Sequence, residues 1–301
     1  MKVLVTGHRG YIGAILTPML LERGHEVTGY DSDIFRSCTF TGELAETPTI
    51  EKDIRDFNID DVIGFDAIIH LAGLSNDPLG DYQPNLTEDI NEKASVKLAE
   101  LAKRAGVKRF LYASSCSNYG ASGDNFLDEN AAFNPVTPYG ISKVNVERAV
   151  APMADENFSP TFLRASTAYG LSPRIRFDLV VNNLTAWAYT TGQVYLKSDG
   201  SPWRPIVHVE DIARAYVAAM EADRDLVHNE AFNVGLTTEN YQIREIAEIV
   251  KAVVPNSHVE FAPDASPDVR CYRVDCNYIG RKLHGFKPQW TARRGVEQLY
   301  E

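Results

Sequence analysis

Positive charge is in short supply in this sequence. Thirty Lys and Arg face 41 Asp and Glu, giving a formal net charge of −11 and a pI near 5.2. Nucleic-acid binding needs a basic face, so the balance argues against such a partner. An anionic small molecule is still compatible, because a few local arginines can hold one. Cysteine is sparse as well. Cys38, Cys116, Cys271 and Cys276 form no CxxC pair and no zinc spacing. The seven histidines include no HExxH, so no metal site is expected. No apolar run approaches the roughly 18 residues that cross a bilayer. Met1-Lys2 leads straight into "VLVTG" without a basic–apolar–small leader pattern. The expectation is a reduced, cytoplasmic compartment with no membrane partner. Internal repeats, low-complexity tracts and disordered linkers are also missing. The 301 residues, 44% hydrophobic and 24% charged, suffice for a sizeable core in one large or two interlocked domains.

Strand-like and helix-like stretches alternate from the first residue. "KVLVT" (2–6) ends in Gly7; Ile12, Ile15, Leu16, Met19 and Leu20 then recur at helical spacing until Gly24. Pro18 removes a hydrogen bond inside that helix, at about 3 kcal/mol, and predicts a kink or local rearrangement. "EVTGYD" (26–31), "DAIIHLAG" (66–73), "RFLYASS" (109–115) and "PTFLRAS" (160–166) read as further strands. Ile90, Ala94, Leu98, Leu101 and Ala105 share one face of a long helix between two of them. Near-continuous apolar strands alternating with helices predict a doubly wound α/β fold of Rossmann type, its parallel sheet covered on both faces. Past about residue 166 the rhythm loosens. "PRIRFDLVVNNLTAWAYTTG" (173–192) reads as a helix, "AFNVG" (231–235) as a strand, and Ile243, Ile246, Ala247 and Val250 mark a late helix. The expected division is a dinucleotide-binding domain over 1–165, with about 205–235 returning to it. A smaller C-terminal domain, mainly for substrate, takes up 166–301.

"TGHRGYIG" places Gly7, Gly10 and Gly13 at GxxGxxG spacing around Tyr11 and Ile12, between the first strand and first helix. Glycines there let the backbone turn tightly and approach a pyrophosphate, whose charge the helix N-terminus favours. Asp31 ends the second strand, where a carboxylate accepts hydrogen bonds from a ribose diol. Asp53 and Ile54 in "EKDIRD" are candidate adenine contacts. A carboxylate at Asp31 repels a 2′-phosphate and so predicts NAD over NADP. Arg9 and Arg36 stand nearby, and a guanidinium pair could hold that phosphate; solvent exposure is the alternative for both.

"SSCSNYG" (114–120) is followed by "PYGISK" (138–143). Tyr139 and Lys143, four residues apart, share a helix face, as an ordinary surface pair also would. Together with these stretches, "HLAG" (70–73), Asn91 opening a helix, "LRASTAYG" (163–170), "RPIVHVEDIARA" (204–215) and "FNVG" (232–235) complete a pattern. In order and spacing it resembles the extended short-chain dehydrogenase/reductase family, specifically the NAD-dependent nucleotide-sugar epimerases and dehydratases. The likeness covers nearly the whole chain. It implies that Tyr139 is the base that takes a proton from a sugar hydroxyl. A free phenol, with a pKa near 10, is a poor base at neutral pH; the Lys143 cation would favour its phenolate. Ser115 would hydrogen-bond the reacting oxygen. Leu71, Ala72, Gly73 and Asn91 would face the cofactor.

The residues after Ser115 separate the branches of that family. Sugar 4,6-dehydratases resemble this chain but place Asp-Glu where it has Cys116-Ser117, and decarboxylating relatives keep a Glu at Ser117. The GDP-fucose synthases, which share "GHRG", set their reactive Cys one residue nearer the following Tyr and add a His after "AYG" that is missing here. Oxidation and re-reduction at one carbon remain, which is the chemistry of a 4-epimerase. A dehydratase or 4-keto reductase is the alternative enzyme, and a non-catalytic dinucleotide sensor is the alternative of another class.

The same resemblance implies a nucleotide-diphosphate sugar as substrate, gripped by Arg204 and Arg270. Ser75, Cys116, Ser117, Thr167, Asn182 and Asn183 would line its pocket, with only one of the two asparagines pointing inward. Thr167 departs from the Asn many relatives carry, and "SNDP" (75–78) takes a place that often touches the hexose. Cys116 is read as a small core residue, and His70 and His208 as structural. Relatives pair through helices around 90–105 and 138–155, so a homodimer is expected.

Overall fold

The computed structural model describes residues 1–75, 80, 82–266 and 271–301. In chain order its strands are β1 (Lys2–Thr6), β2 (Glu26–Asp31), β3 (Thr49–Glu51), β4 (Ala67–His70), β5 (Arg109–Ser115), β6 (Ala121–Leu127) and β7 (Ser159–Ala165). They continue as β8 (Thr167–Tyr169), β9 (Gln193–Ser198), β10 (Trp203–His208), β11 (Glu230–Val234), β12 (Asn240–Gln242), β13 (His258–Ser266) and β14 (Cys271–Val274). Seven of them form one sheet in the order β11-β7-β5-β4-β1-β2-β3, and every neighbouring pair is parallel.

The pleat explains why these strands are apolar throughout. Val3 and Val5 of β1 face one core with Leu16, Leu20, Ile212 and Tyr216, from the helices Gly13–Glu22 and Val209–Glu221. Leu4, between them, faces the other core with Leu98, Phe110, Val146 and Val150, against the helices Ala94–Arg104 and Pro138–Val150. Alternate side chains point to opposite faces, and both faces are covered. Strand order reverses at β1 and β4, and crevices that bind ligands open at such a switch point, beyond the carboxyl ends of the strands. Gly7, Asp31, Leu71 and Ser115 all lie at that edge.

The second half builds smaller sheets, β12-β10-β8, β13-β9 and β14-β6. The helices Val180–Thr191, Ile243–Val253 and Ala292–Tyr300 share a third core with the first two of these sheets, while Tyr272, Val274 and Leu127 of β14-β6 pack with Cys116 and Tyr119. β11 pairs with β7 as the sheet's outer strand.

Three local readings change. The helix Gly13–Glu22 runs through Pro18 without a break, because its buried face against the sheet outweighs one lost hydrogen bond. The stretch 173–192 is helical only from Val180; the residues before it are extended or turning, with Arg174 bonded to Asp33 and Arg176 to Ser75. Helical spacing around Ile90 conceals a π-helical turn, Glu88–Lys93, ahead of Ala94–Arg104.

Candidate active site

The dinucleotide end is built from the β1 turn. Gly7 has a φ of 71°, a left-handed backbone that favours glycine. A β-carbon at Gly13 would run into the Gly7 carbonyl and His8 Cα, so only glycine lets this turn close. The helix it opens has no side-chain cap and no acidic residue in its first turn, which suits an anion there. Asp31 is anchored by the backbone N–H groups of Arg9 (3.0 Å) and Asp33 (2.9 Å). The residues present therefore fit a dinucleotide, with the glycine turn for its pyrophosphate and Asp31 for a ribose.

Other candidates for this end act indirectly. Asp53 caps the turn Ile54–Asp56, and its carboxylate accepts from Arg55 at 2.9 and 2.7 Å. Ile54 is buried in the core under the sheet. Tyr11 is buried with its hydroxyl donating to Gly170 O at 2.7 Å, and Ile12 packs on the core. Leu71 and Ala72 bind back to Thr6 through their N–H groups. Asn91 binds the loop through both ends of its amide: its Oδ1 accepts from Leu74 N and its Nδ2 donates to Leu74 O, both at 2.7 Å. It shapes the loop containing Gly73. The π turn sets Asn91 at that position. Thr6, His70 and Ser95 continue the buried chain at 2.6 and 2.7 Å. Burial, helped by the Lys143 charge, drives the His70 pKa down to about 3. His70 is therefore a neutral structural link.

The Tyr139 helix starts at Pro138 with Thr137 as its cap, whose Oγ1 accepts from Gly140 N at 3.1 Å. One turn on, Lys143 is buried and donates to Ala113 O at 2.6 Å. Its Nζ lies 5.5 Å from the Tyr139 ring centroid and 4.7 Å from that of Tyr112. Burial lowers its pKa to about 7, with the Glu147 charge opposing. Ser115 ends β5 two residues beyond the carbonyl that holds Lys143, and its Oγ donates to Ser117 Oγ at 3.1 Å. The fold thus sets the Lys143 amine beside the Tyr139 ring, close to the strand end that carries Ser115.

In the second half the candidates divide. Asn182 points inward, but its amide is spent on the fold: Oδ1 accepts from Gly170 N at 2.9 Å and Nδ2 donates to Arg176 O at 3.0 Å. Asn183 is half-buried and donates to Phe177 O. Thr167 is half-buried on β8. Arg204 is buried on β10, donating to Trp203 O and lying over the Tyr272 ring at 5.8 Å. Arg270 and residues 76–78 lie outside the described residues. His208 caps a helix and stacks on Trp290 at 4.0 Å between ring centroids.

A glycine turn with an acidic strand end, and a Tyr–Lys pair beside a strand-end Ser, occur together where the sequence of the NAD dependent epimerase/dehydratase family matches, over residues 3–235. The chain belongs to that family. Its curated relatives include UDP-glucose 4-epimerases from Neisseria meningitidis serogroup C, 29% identical over all of this chain and 95% of the relative, and from Bacillus subtilis, 27% identical over 99% and 94%. Among solved structures, MoeE5 in complex with UDP-glucuronic acid and NAD matches at 27% identity and a TM-score of 0.86, over 99% of this chain and 98% of that one. A UDP-glucose 4-epimerase from Thermotoga maritima, with UDP-glucose, matches at 25% identity and 0.86, over 100% and 97%.

In this member of the epimerase/dehydratase family, Cys116 takes no part in the pocket. Its side chain is completely buried, with the thiol donating to Arg164 O at 3.2 Å, and burial pushes its pKa up to about 12. Cys116→Ala should therefore keep kcat within about threefold and lose about 1–2 kcal/mol of stability, from a small cavity. A loss of activity comparable with that of Tyr139→Phe would overturn this assignment; steady-state kinetics with a urea melt decides. Two features escaped the sequence reading. Arg176 reaches Ser75, donating to its Oγ at 2.6 Å and its carbonyl at 3.0 Å, and pairs with Asp178 at 2.6 Å. Glu147, a further turn beyond Lys143, pairs with Arg164 at 2.6 Å with both side chains buried. The repeat Tyr139, Lys143, Glu147 at steps of four was the signal for the second.

Proposed function

We propose that this protein is an NAD-dependent nucleotide-sugar 4-epimerase, working through a transient 4-keto sugar, with a UDP-sugar as the favoured substrate. One observation carries the reading. The Lys143 amine is fixed between Ala113 O and the Tyr139 ring, in a chain with Cys116 and Ser117 where an eliminating enzyme needs carboxylates. Bound NAD would supply the hydride acceptor and donor for C4 of the sugar. Tyr139 takes the proton of the C4 hydroxyl and later returns it; Ser115 holds the oxygen that carries it. Lys143 shares that proton load, because an amine that loses its proton at about 7 can exchange it near neutral pH. Arg204, and Arg270 with it, would bind the diphosphate, a task suited to the planar guanidinium. UDP-sugars are favoured because relatives along the whole chain are UDP-glucose 4-epimerases. A homodimer through the helices around 90–105 and 138–155 belongs to the same proposal; Ile141, 46% exposed on the Tyr139 helix, supports it.

The test is a panel of UDP-, GDP-, dTDP- and CDP-sugars followed by NMR and mass spectrometry. Inversion at C4 without a mass change is the expected result. Loss of about 18 mass units, the mass of one water, would identify a dehydratase. No turnover with any sugar would favour a sensor.

A further inference from the structure

Asp33 stands two residues past Asp31, in the left-handed region at a φ of 49°. Three guanidinium groups from three separate segments converge on its buried carboxylate. Arg9 Nη1 lies at 2.6 Å, Arg36 Nε at 3.0 Å and Arg174 Nη2 at 3.2 Å. Arg36 also reaches Glu51 at 2.5 Å, and Arg9 lies 3.8 Å from the same carboxylate. Burial works against ionisation of Asp33, but the Arg36 hydrogen bond and the Arg9 and Arg174 charges outweigh it, leaving its pKa below the ordinary value. Beside this cluster is a cavity of about 800 Å³, with His8, Arg9, Asp33, Arg36 and Arg174 in its wall. Arg174 is 6% exposed, and its Nε and Nη1 are buried with no hydrogen-bond partner.

Three arginines are more than a ribose diol requires, and they adjoin Asp31, whose carboxylate shares the Arg9 and Asp33 backbone. Asp33 and Glu51 supply the carboxylates that pair with them. A 2′-phosphate, close to doubly negative at neutral pH, would meet Arg9 and Arg36 already committed to Asp33 and Glu51, and Arg174 tied to Asp33 through Nη2. We propose that Asp33 is a specificity-determining residue: it holds Arg9, Arg36 and Arg174 and so withholds them from the 2′-phosphate of NADP. Asp31 repels that phosphate, while Asp33 removes the cations that would bind it. The inference rests on the dinucleotide reading of this site.

Binding of NAD⁺ and NADP⁺ is measured by titration calorimetry on nucleotide-stripped protein. The wild type should prefer NAD⁺ by about a hundredfold or more. Asp33→Asn, which tolerates the left-handed backbone, should tighten NADP⁺ by about tenfold and change NAD⁺ by less than about threefold. The gain should shrink with added salt and when Arg36→Ala is combined with it. Glu51→Gln, on an exposed side chain, should move the ratio the same way by a smaller factor. Asp33→Gly, which also suits the left-handed backbone, is the deciding variant should Asp33→Asn not fold. An unchanged NADP⁺ to NAD⁺ ratio in the folded variants overturns the role of Asp33. Wild-type protein that binds neither nucleotide overturns instead the reading beneath it.

Discussion

Tyr139→Phe should lower kcat by about 10²- to 10⁴-fold, the range for losing a positioned acid–base group, while thermal stability stays within a few degrees of wild type. The phenyl ring keeps its place near the Lys143 amine, 5.5 Å from the ring centroid, so packing survives and only the hydroxyl is lost. The pH profile gives a second reading of the same pair. Tyr139 and Lys143 must together release one proton before the phenol can accept one, and that loss belongs to the pair. Burial sets the Lys143 value at about 7, so kcat/KM should fall as pH drops through about 7. Lys143→Met removes this partner and should shift the acid limb upward, toward the ordinary phenol pKa of about 10. Substantial activity in Tyr139→Phe, or a limb that stays in place in Lys143→Met, would falsify the assignment of the base.

Arg164→Ala should be the most destabilising single change in the site, at about 3–5 kcal/mol, because it leaves Glu147 charged and buried without its partner. Arg164 Nη2 and Nε donate to Glu147 at 2.6 and 3.0 Å, and Nη1 reaches Tyr119 Oη at 3.0 Å and Glu129 O at 2.8 Å. Ser114 Oγ and Asn118 Nδ2 donate to the same carboxylate. The cluster therefore ties the end of β5, the turn after Ser115, the Tyr139 helix and β7 to one another. Combining Glu147→Gln with Arg164→Met should recover a large part of the lost stability, since the stranded charge goes. Chemical denaturation of the single and double variants measures both. A cost below about 1 kcal/mol for Arg164→Ala would show that Glu147 is solvated in solution and the cluster is not a closed unit.

Much of the framework was legible because it follows local periodicity. Val3, Leu4 and Val5 form a continuous apolar strand because both faces of the sheet are covered. Gly7 and Gly13 are fixed by a turn that no other residue fits. Tyr139 and Lys143 meet because a helix brings i and i+4 to one face. Other features were hidden because they depend on distant partners. Asn91 and Asn182 are polar residues in helical stretches, and only the packed loops show that both serve the backbone. Residues 173–179 read as helical, yet the bonds of Arg174 to Asp33 and of Arg176 to Ser75 hold them outside the helix.

By itself, the sequence determined the parallel sheet, the glycine turn, the acidic strand end and the helix that aligns phenol with amine, since each depends on residues a few positions apart. Tertiary structure alone decided that Cys116 is sealed in the core, that Glu147 meets Arg164 and that Asp33 gathers three arginines. Burial and charge pairing are properties of neighbours in space, and those neighbours are set only when the chain closes.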